Sequence, residues 1–296
     1  MKYKNKIFHV ENISTEKLSK KFKTPLYCYS YLRLKNNVNN FKNHFKKINP
    51  LICFSVKSNS NVKILKELKN QGCGADVVSV GELMVALKAG ISPSKIVFSG
   101  VGKTENELKF AIKKNILLIN IESESEAILI NKLSKKLSKK TSVGIRLNPN
   151  INAQTLKKIS TGLNENKFGL TKKNCLNLIN NIKKYKNLKL KCLSVHIGSQ
   201  ILNIKPFERT LKVLNEIIKK SKYKFKYIDL GGGIGIPYEK KMNPLNLSKY
   251  NNLVQNFISK FNCNIIFEPG RSIIGNTGTL ISKIIYIKDG GAKKFI

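Results

Sequence analysis

Lys57 is the first residue whose setting could do chemistry. It follows Phe54-Ser55-Val56, so its stem should leave a buried strand and hold the amine in a partly desolvated pocket. An amine so placed is expected to have a lowered pKa and to attack a carbonyl, forming a Schiff base. Lysine and arginine total 55 and only four are arginines, so a lysine that merely caps a strand is the ordinary alternative. The company Lys57 keeps argues against it. His196, in Val195-His196-Ile197-Gly198-Ser199-Gln200, is one of three histidines and the only one at a strand end. Its flat imidazole could stack on an aromatic ring. Glu268 closes the apolar run Ile265–Phe267, where an ionised carboxylate is costly unless it meets a cation such as a protonated ring nitrogen.

The glycines supply a fourth element. Gly231-Gly232-Gly233-Ile234-Gly235 and Gly270 let backbone N–H groups approach an anion, and Ser199 could add a hydroxyl, so a phosphate could be cradled without a P-loop lysine. The run does not match a Walker A sequence, and it comes far too late in the chain for a dinucleotide fingerprint. A Schiff-base lysine, a ring stacker, an acid for a ring nitrogen and a phosphate nest together point to pyridoxal 5'-phosphate.

Such residues need a frame that brings distant segments to one place. Eight short apolar or β-branched runs alternate with segments of helical period: Ile52–Val56, Ala75–Ser79, Ile96–Ser99, Ile116–Ile121, Val143–Leu147, Leu193–Ile197, Tyr227–Leu230 and Ile265–Phe267. Helix starts show at Thr104 with Glu107 and at Ser123 with Glu126, both with capping-box spacing, and helix stops at Gly72 and Gly90. Eight alternations predict an α/β fold, a (β/α)8 TIM-type barrel, with an open doubly wound sheet as the alternative. In a barrel the chemistry lies at the C-terminal strand ends, where Lys57, Asp76, Arg146, His196, the glycine run and Glu268 all fall. The spacing divides the chain into residues 1–30, an N-terminal segment with a strand at Pro25–Ser30; 31–271, the cofactor-binding barrel; and 272–296, the start of a second, mostly β domain with a strand expected over Ile281–Lys288.

Composition excludes several classes. The 296 residues are 41% hydrophobic and 24% charged, which is a globular balance. No apolar run reaches the roughly 18 residues of a spanning helix, and the first ten residues have no signal-peptide core, so a cytoplasmic protein without a membrane partner is expected. The six cysteines form no C-x-x-C pair and suggest neither a metal site nor a disulfide framework. The net charge of +38 comes almost wholly from lysines scattered amid Asn and Ile, which reads as compositional bias on solvated faces; no nucleic-acid partner is expected.

Nine collinear stretches carry a resemblance. FSVKSNSN (54–61), GCGADVVSVGEL (72–83), VFSGVGKT (97–104), NIES (120–123), IRLNPN (145–150), ISTGLNENKFG (159–169), VHIGSQ (195–200), DLGGGIGIPY (229–238) and EPGRSIIGNTG (268–278) resemble the diaminopimelate decarboxylase family, of the alanine-racemase-like class of pyridoxal-phosphate enzymes. The resemblance implies that Lys57 carries the cofactor, His196 stacks on its ring and Glu268 partners its nitrogen. Ser199, Gly231, Gly232, Gly233, Pro269, Gly270 and Arg271 become cofactor-binding residues, Asp76 and Arg146 cofactor-side support, and Arg271 also the arginine for a substrate carboxylate. The implied reaction is decarboxylation of meso-diaminopimelate to L-lysine and CO2 in a homodimer. Ornithine-type and carboxynorspermidine-type decarboxylases and a non-catalytic pyridoxal-phosphate carrier are the neighbouring readings, with a lysine-rich interaction protein more distant.

The sequence departs from the family's pattern in two ways. Ser58 stands where the family usually has alanine. Family chains also run on for a further, mostly β domain that carries a second substrate arginine, a cysteine–glutamate pair donated across the dimer and a tyrosine near the phosphate. None of the six cysteines here precedes a glutamate. The expectation is a fragment of a longer decarboxylase that binds the cofactor and by itself turns over slowly or not at all.

Overall fold

The structure, a computed structural model, describes residues 1–163 and 165–296; Asn164, within the ISTGLNENKFG stretch, lies outside the described residues. Eight parallel strands close on one another: β1 Leu51–Ser55, β2 Gly74–Val77, β3 Ile96–Phe98, β4 Leu118–Ile121, β5 Thr141–Leu147, β6 Leu188–Val195, β7 Tyr227–Asp229 and β8 Asn264–Phe267. Each pairs with its neighbours in chain order, and β8 closes the ring on β1 through Ile266↔Leu51 and Phe267↔Ile52. The fold is the (β/α)8 barrel. β6 begins five residues before its expected start, because Lys189 and Lys191 interrupt the apolar run while Leu188 and Leu190 stay buried.

The two-residue period of a strand explains how this barrel becomes a site. Cys53, Val97, Leu118, Cys192 and Ile266 come from β1, β3, β4, β6 and β8, are fully buried and touch one another; contacts between such separated strands are possible only across the barrel interior. Two residues further along the same strands stand Ser55, Ser99, Asn120, Ser194 and Glu268, and on β2, β5 and β7 stand Asp76, Arg146 and Asp229. All eight are buried. An apolar plug is thus capped by a polar layer at the C-terminal mouth. The intervening residues face outward: Phe267 packs against Phe41, Phe45 and Tyr250 of the surrounding helices, with ring centroids 5.5, 4.7 and 5.8 Å away.

Helix ends follow their signals with one exception. Thr104 and Glu107 form the full reciprocal capping box. At Ser123 only half forms: its hydroxyl accepts from the Glu126 N–H, while the Glu126 carboxylate turns to the Glu122 N–H and to Lys103. The buried Lys103 ammonium offers a stronger charge-assisted bond than the expected backbone amide. Gly72 and Gly90 end helices at φ of +78° and +84°, where a side chain would be strained.

The strand Leu26–Tyr29 pairs antiparallel with Gly278–Ile281, from Tyr29↔Gly278 to Leu26↔Ile281. The expected strand over Ile281–Lys288 does not form as one element, since its partner runs out at Leu26; chain pairing resumes only between Lys288–Asp289 and Lys294–Phe295. Ahead of the barrel lie three short strands and the helix Thr15–Phe22, beyond the one strand expected in residues 1–30. Arg33 Nη1 donates to the Asn276 carbonyl across 243 residues of sequence, and Asn37 Nδ2 donates to the Ile273 carbonyl, so the first barrel helix is tied to the segment after β8. Among the described residues no helix is long and apolar enough to cross a membrane.

Candidate active site

The turn Val56–Ser58 carries Lys57 off the end of β1. Its ammonium lies 3.0 Å from Asp76 Oδ2, while the side chain remains 46% exposed toward the mouth. Burial alone would lower its pKa, but the Asp76 carboxylate and Glu268 behind it outweigh that, and the net shift is upward. This corrects the expectation of a lowered pKa, because the pocket wall that faces the amine carries a carboxylate from the neighbouring strand. Ser55 Oγ lies 2.8 Å from Asp76 Oδ2 and 2.9 Å from the Glu268 carbonyl, bracing Asp76 from below.

His196 Nδ1 accepts the Gly232 N–H at 3.1 Å, which leaves Nε2 to carry the proton of the neutral ring. Burial, then the charges of Lys57 and Arg146, hold its pKa well below the usual histidine range. The imidazole is therefore neutral at physiological pH. The glycine run reaches this ring only because it lacks side chains: a Cβ on Gly231 would lie 2.8 Å from His196 Nδ1, and one on Gly232 would lie 2.2 Å from the Glu268 carbonyl oxygen. Gly233 turns at φ of +90°. No described residue accepts the backbone N–H of Gly233 or Gly270, so both are open to an anion.

Arg146 is buried on β5, with Nη1 2.7 Å from Glu122 Oε1 and its guanidinium 4.8 Å from the centre of the Phe168 ring. Glu122 also accepts the Gly100 N–H at 2.8 Å through Oε1 and the Gly169 N–H at 2.9 Å through Oε2. One carboxylate thereby pins the segments that follow β3, β4 and β5. Arg271 Nε donates to Ser199 Oγ at 3.2 Å, and Nη1 donates to the Tyr238 hydroxyl. The Pro269 carbonyl accepts the Ser55 N–H at 3.2 Å, which fixes the turn before Gly270.

These groups surround two adjoining hollows. One of about 250 Å³ is lined by Arg146, Thr161, Phe168 and Asn120 among others, and one of about 370 Å³ by Ser199, Gly233, Gly270, Arg271 and Tyr238 among others. Lys57, His196 and Glu268 line both. Glu268 Oε1 is buried with no hydrogen-bond donor among the described residues. An orphaned acid, two free backbone N–H groups beside a serine, and an amine on the shared wall suit a flat cationic ring that bears an aldehyde and a phosphate.

Every sequence-predicted site residue thus lies at this one mouth. Glu122, Ser55, Thr161, Phe168 and Tyr238 were not singled out as site residues. Ser55 was legible as the residue two before Lys57 and two after interior Cys53, whereas Thr161 and Phe168 sit in a segment without periodicity.

A lysine, a neutral histidine and a buried acid around a glycine-lined nest at a barrel mouth define a pyridoxal-phosphate site on a (β/α)8 barrel. Residues 32–275 match the family described as pyridoxal-dependent decarboxylase, pyridoxal binding domain. Across all of its length the chain is 38% identical to a diaminopimelate decarboxylase of Aquifex aeolicus, of which it covers 71%. The diaminopimelate decarboxylase of Helicobacter pylori, solved in complex with L-lysine, is 40% identical with a TM-score of 0.90 over 94% of this chain and 71% of that one. That of M. jannaschii, also solved with L-lysine, is 35% identical with a TM-score of 0.92 over 99% and 71%. The chain belongs to the pyridoxal-dependent decarboxylases, and within them to the diaminopimelate decarboxylase family.

Proposed function

We propose that this chain decarboxylates meso-diaminopimelate to L-lysine and CO2, using pyridoxal 5'-phosphate held at the mouth of the barrel. The observation that carries the reading is the shared wall of Lys57, His196 and Glu268 between a phosphate hollow and a substrate hollow. When bound, the cofactor supplies the electron sink that accepts the pair left behind as CO2 departs.

The remaining work falls to the chain. Lys57 is the covalent anchor, and Asp76 holds its amine at the shared wall of the two hollows. His196, neutral and fixed by the Gly232 N–H, offers a flat face that adds no charge beside the ring. Glu268 holds a proton on the ring nitrogen, which keeps the sink strong. Ser199, Gly231, Gly232, Gly233, Pro269 and Gly270 grip the phosphate or shape the turns that do. Arg146, locked by Glu122, supports the cofactor side of the substrate hollow. Among the described residues Arg271 engages partners through Nε and Nη1, so Nη2 remains for a substrate carboxylate. Orientation of the scissile carboxylate supplies most of the remaining advantage. We take residues 31–271 as the cofactor-binding unit and a cytoplasmic homodimer as the working assembly.

The test is release of labelled CO2 from carboxyl-labelled meso-diaminopimelate by the purified chain with the cofactor, beside ornithine and carboxynorspermidine, with Lys57→Ala as control. Lysine formed from diaminopimelate at the highest kcat/KM, and lost in Lys57→Ala, is the expected result. A preference for ornithine would move the chain to the neighbouring branch. A Lys57-dependent visible absorbance band without CO2 from any substrate would favour the carrier.

A further inference from the structure

Asp229 is a buried carboxylate in the polar layer to which the proposed reaction gives no task. It ends β7, is fully buried, and uses Oδ1 to accept the Gly231 N–H at 2.9 Å. Its Oδ2 is buried and meets no donor among the described residues, and Glu268 Oε1 is in the same condition. The two carboxyl groups lie within hydrogen-bonding reach of each other. Two facing carboxylates, each with one oxygen shut off from solvent, repel, and each leaves a buried acceptor unpaired. A single proton between them satisfies both.

The groups that face the pair favour this arrangement. β2 contributes the Asp76 carboxylate, a further negative charge, and β4 the Asn120 amide. β1 and β6 contribute the Cys53 and Cys192 thiols, which burial keeps protonated, and Lys57 is engaged with Asp76. So the pair must share Lys57 with Asp76, and it holds one negative charge more readily than two. Burial and the neighbouring Asp229 and Asp76 raise Glu268 well above the usual range, while burial pushes Asp229 up to about 6.

We propose that Asp229 is a positioning residue for the cofactor's ring nitrogen, acting through Glu268 by means of one shared proton. With no cation at the ring position the proton rests on Glu268. When a protonated ring nitrogen arrives, the proton crosses to Asp229, the negative charge moves to Glu268, and Asp229 donates to the acid it has just ionised. No other reactant is needed. The inference rests on the cofactor-binding reading above.

Two measurements test it. Isotope-edited infrared spectra of the full chain, with 13C-carboxyl Asp or Glu, should show a protonated Glu carboxyl before cofactor addition, absent in Glu268→Gln, and a protonated Asp carboxyl after it. A protonated stretch that stays on Glu in both states, or one absent from the cofactor-free chain, overturns the proposal. Second, 15N-ring-labelled cofactor should report a protonated nitrogen in the wild type and in Asp229→Asn, whose amide still donates to Glu268. In Asp229→Ala, checked for folding by circular dichroism, the cofactor-free chain should lose the protonated Glu carboxyl at neutral pH, because the neighbour that keeps the proton on Glu268 is gone. A protonated Glu carboxyl that persists in folded Asp229→Ala also overturns it. Failure of the wild type to give a Lys57-dependent visible band would instead count against the cofactor-binding reading, and the cofactor-free infrared result would still decide the shared proton.

Discussion

Replacing Glu122 by alanine should unfasten three loops at once. The substitution strands the Arg146 guanidinium, whose side chain is 8% exposed, and frees the Gly100 and Gly169 N–H groups. Removing one partner of a buried ion pair costs about 3–5 kcal/mol. Here the lower end applies, because Arg146 keeps its stack on Phe168 and faces a hollow of about 250 Å³ through which water can reach it. A loss of about 3 kcal/mol corresponds to a drop in Tm of roughly 6–12 °C for a chain of this size. Equilibrium urea unfolding reads the same quantity as a lower midpoint at unchanged slope. The double variant Glu122→Ala, Arg146→Met separates an orphaned charge from a lost contact: it should recover about 1–2 kcal/mol relative to Glu122→Ala alone. A double variant no more stable than the sum of the two single losses would refute the reasoning, as would a Glu122→Ala cost below about 1 kcal/mol.

Two further outcomes follow from the mouth. Gly233→Ala combines a φ of +90° with a Cβ 2.5 Å from the Gly198 carbonyl oxygen, so the turn must shift; cofactor should be lost on gel filtration and stability should fall by about 1–3 kcal/mol. Asp229→Asn should change the pH dependence of stability. The folded pKa of Asp229, about 6, lies above its unfolded value, so its stabilisation is present at low pH and is lost as pH rises through about 6. The asparagine variant escapes that loss, and its denaturation midpoint should gain on the wild type between about pH 4 and pH 7. A constant difference across that range would count against a raised Asp229.

The barrel was legible because its strands are short, apolar and regularly spaced, and all eight expected runs overlap observed strands. The site was legible for a related reason. Once the interior face of a strand is known, the residue two positions on points into the mouth, and Glu268 follows Ile266 by that rule. The charge state of Lys57 was not legible, since Asp76 comes from the next strand and its 3.0 Å approach depends on register. The same holds for Glu122, whose partners come from β5 and from the segments after β3 and β5, and for Glu126, which preferred a buried lysine to its local capping role. Local pattern fixes periodicity and caps; partners drawn from other strands emerge only from tertiary packing.

The pairing of Leu26–Tyr29 with Gly278–Ile281, together with the Arg33 bond to Asn276 across 243 residues, sets an order of events on the ribosome. A segment that emerges long before the barrel is complete is among the last to find its partner. At about 5–20 residues per second its apolar faces wait roughly 12–50 s for the complementary strand. Closure of β8 on β1 must then bring the ends together before this pairing offsets its loop entropy. An early strand that waits so long is exposed to chaperones and to strands of neighbouring chains, and its exposed Tyr27 and Tyr29 make it the part of the nascent chain most in need of cover.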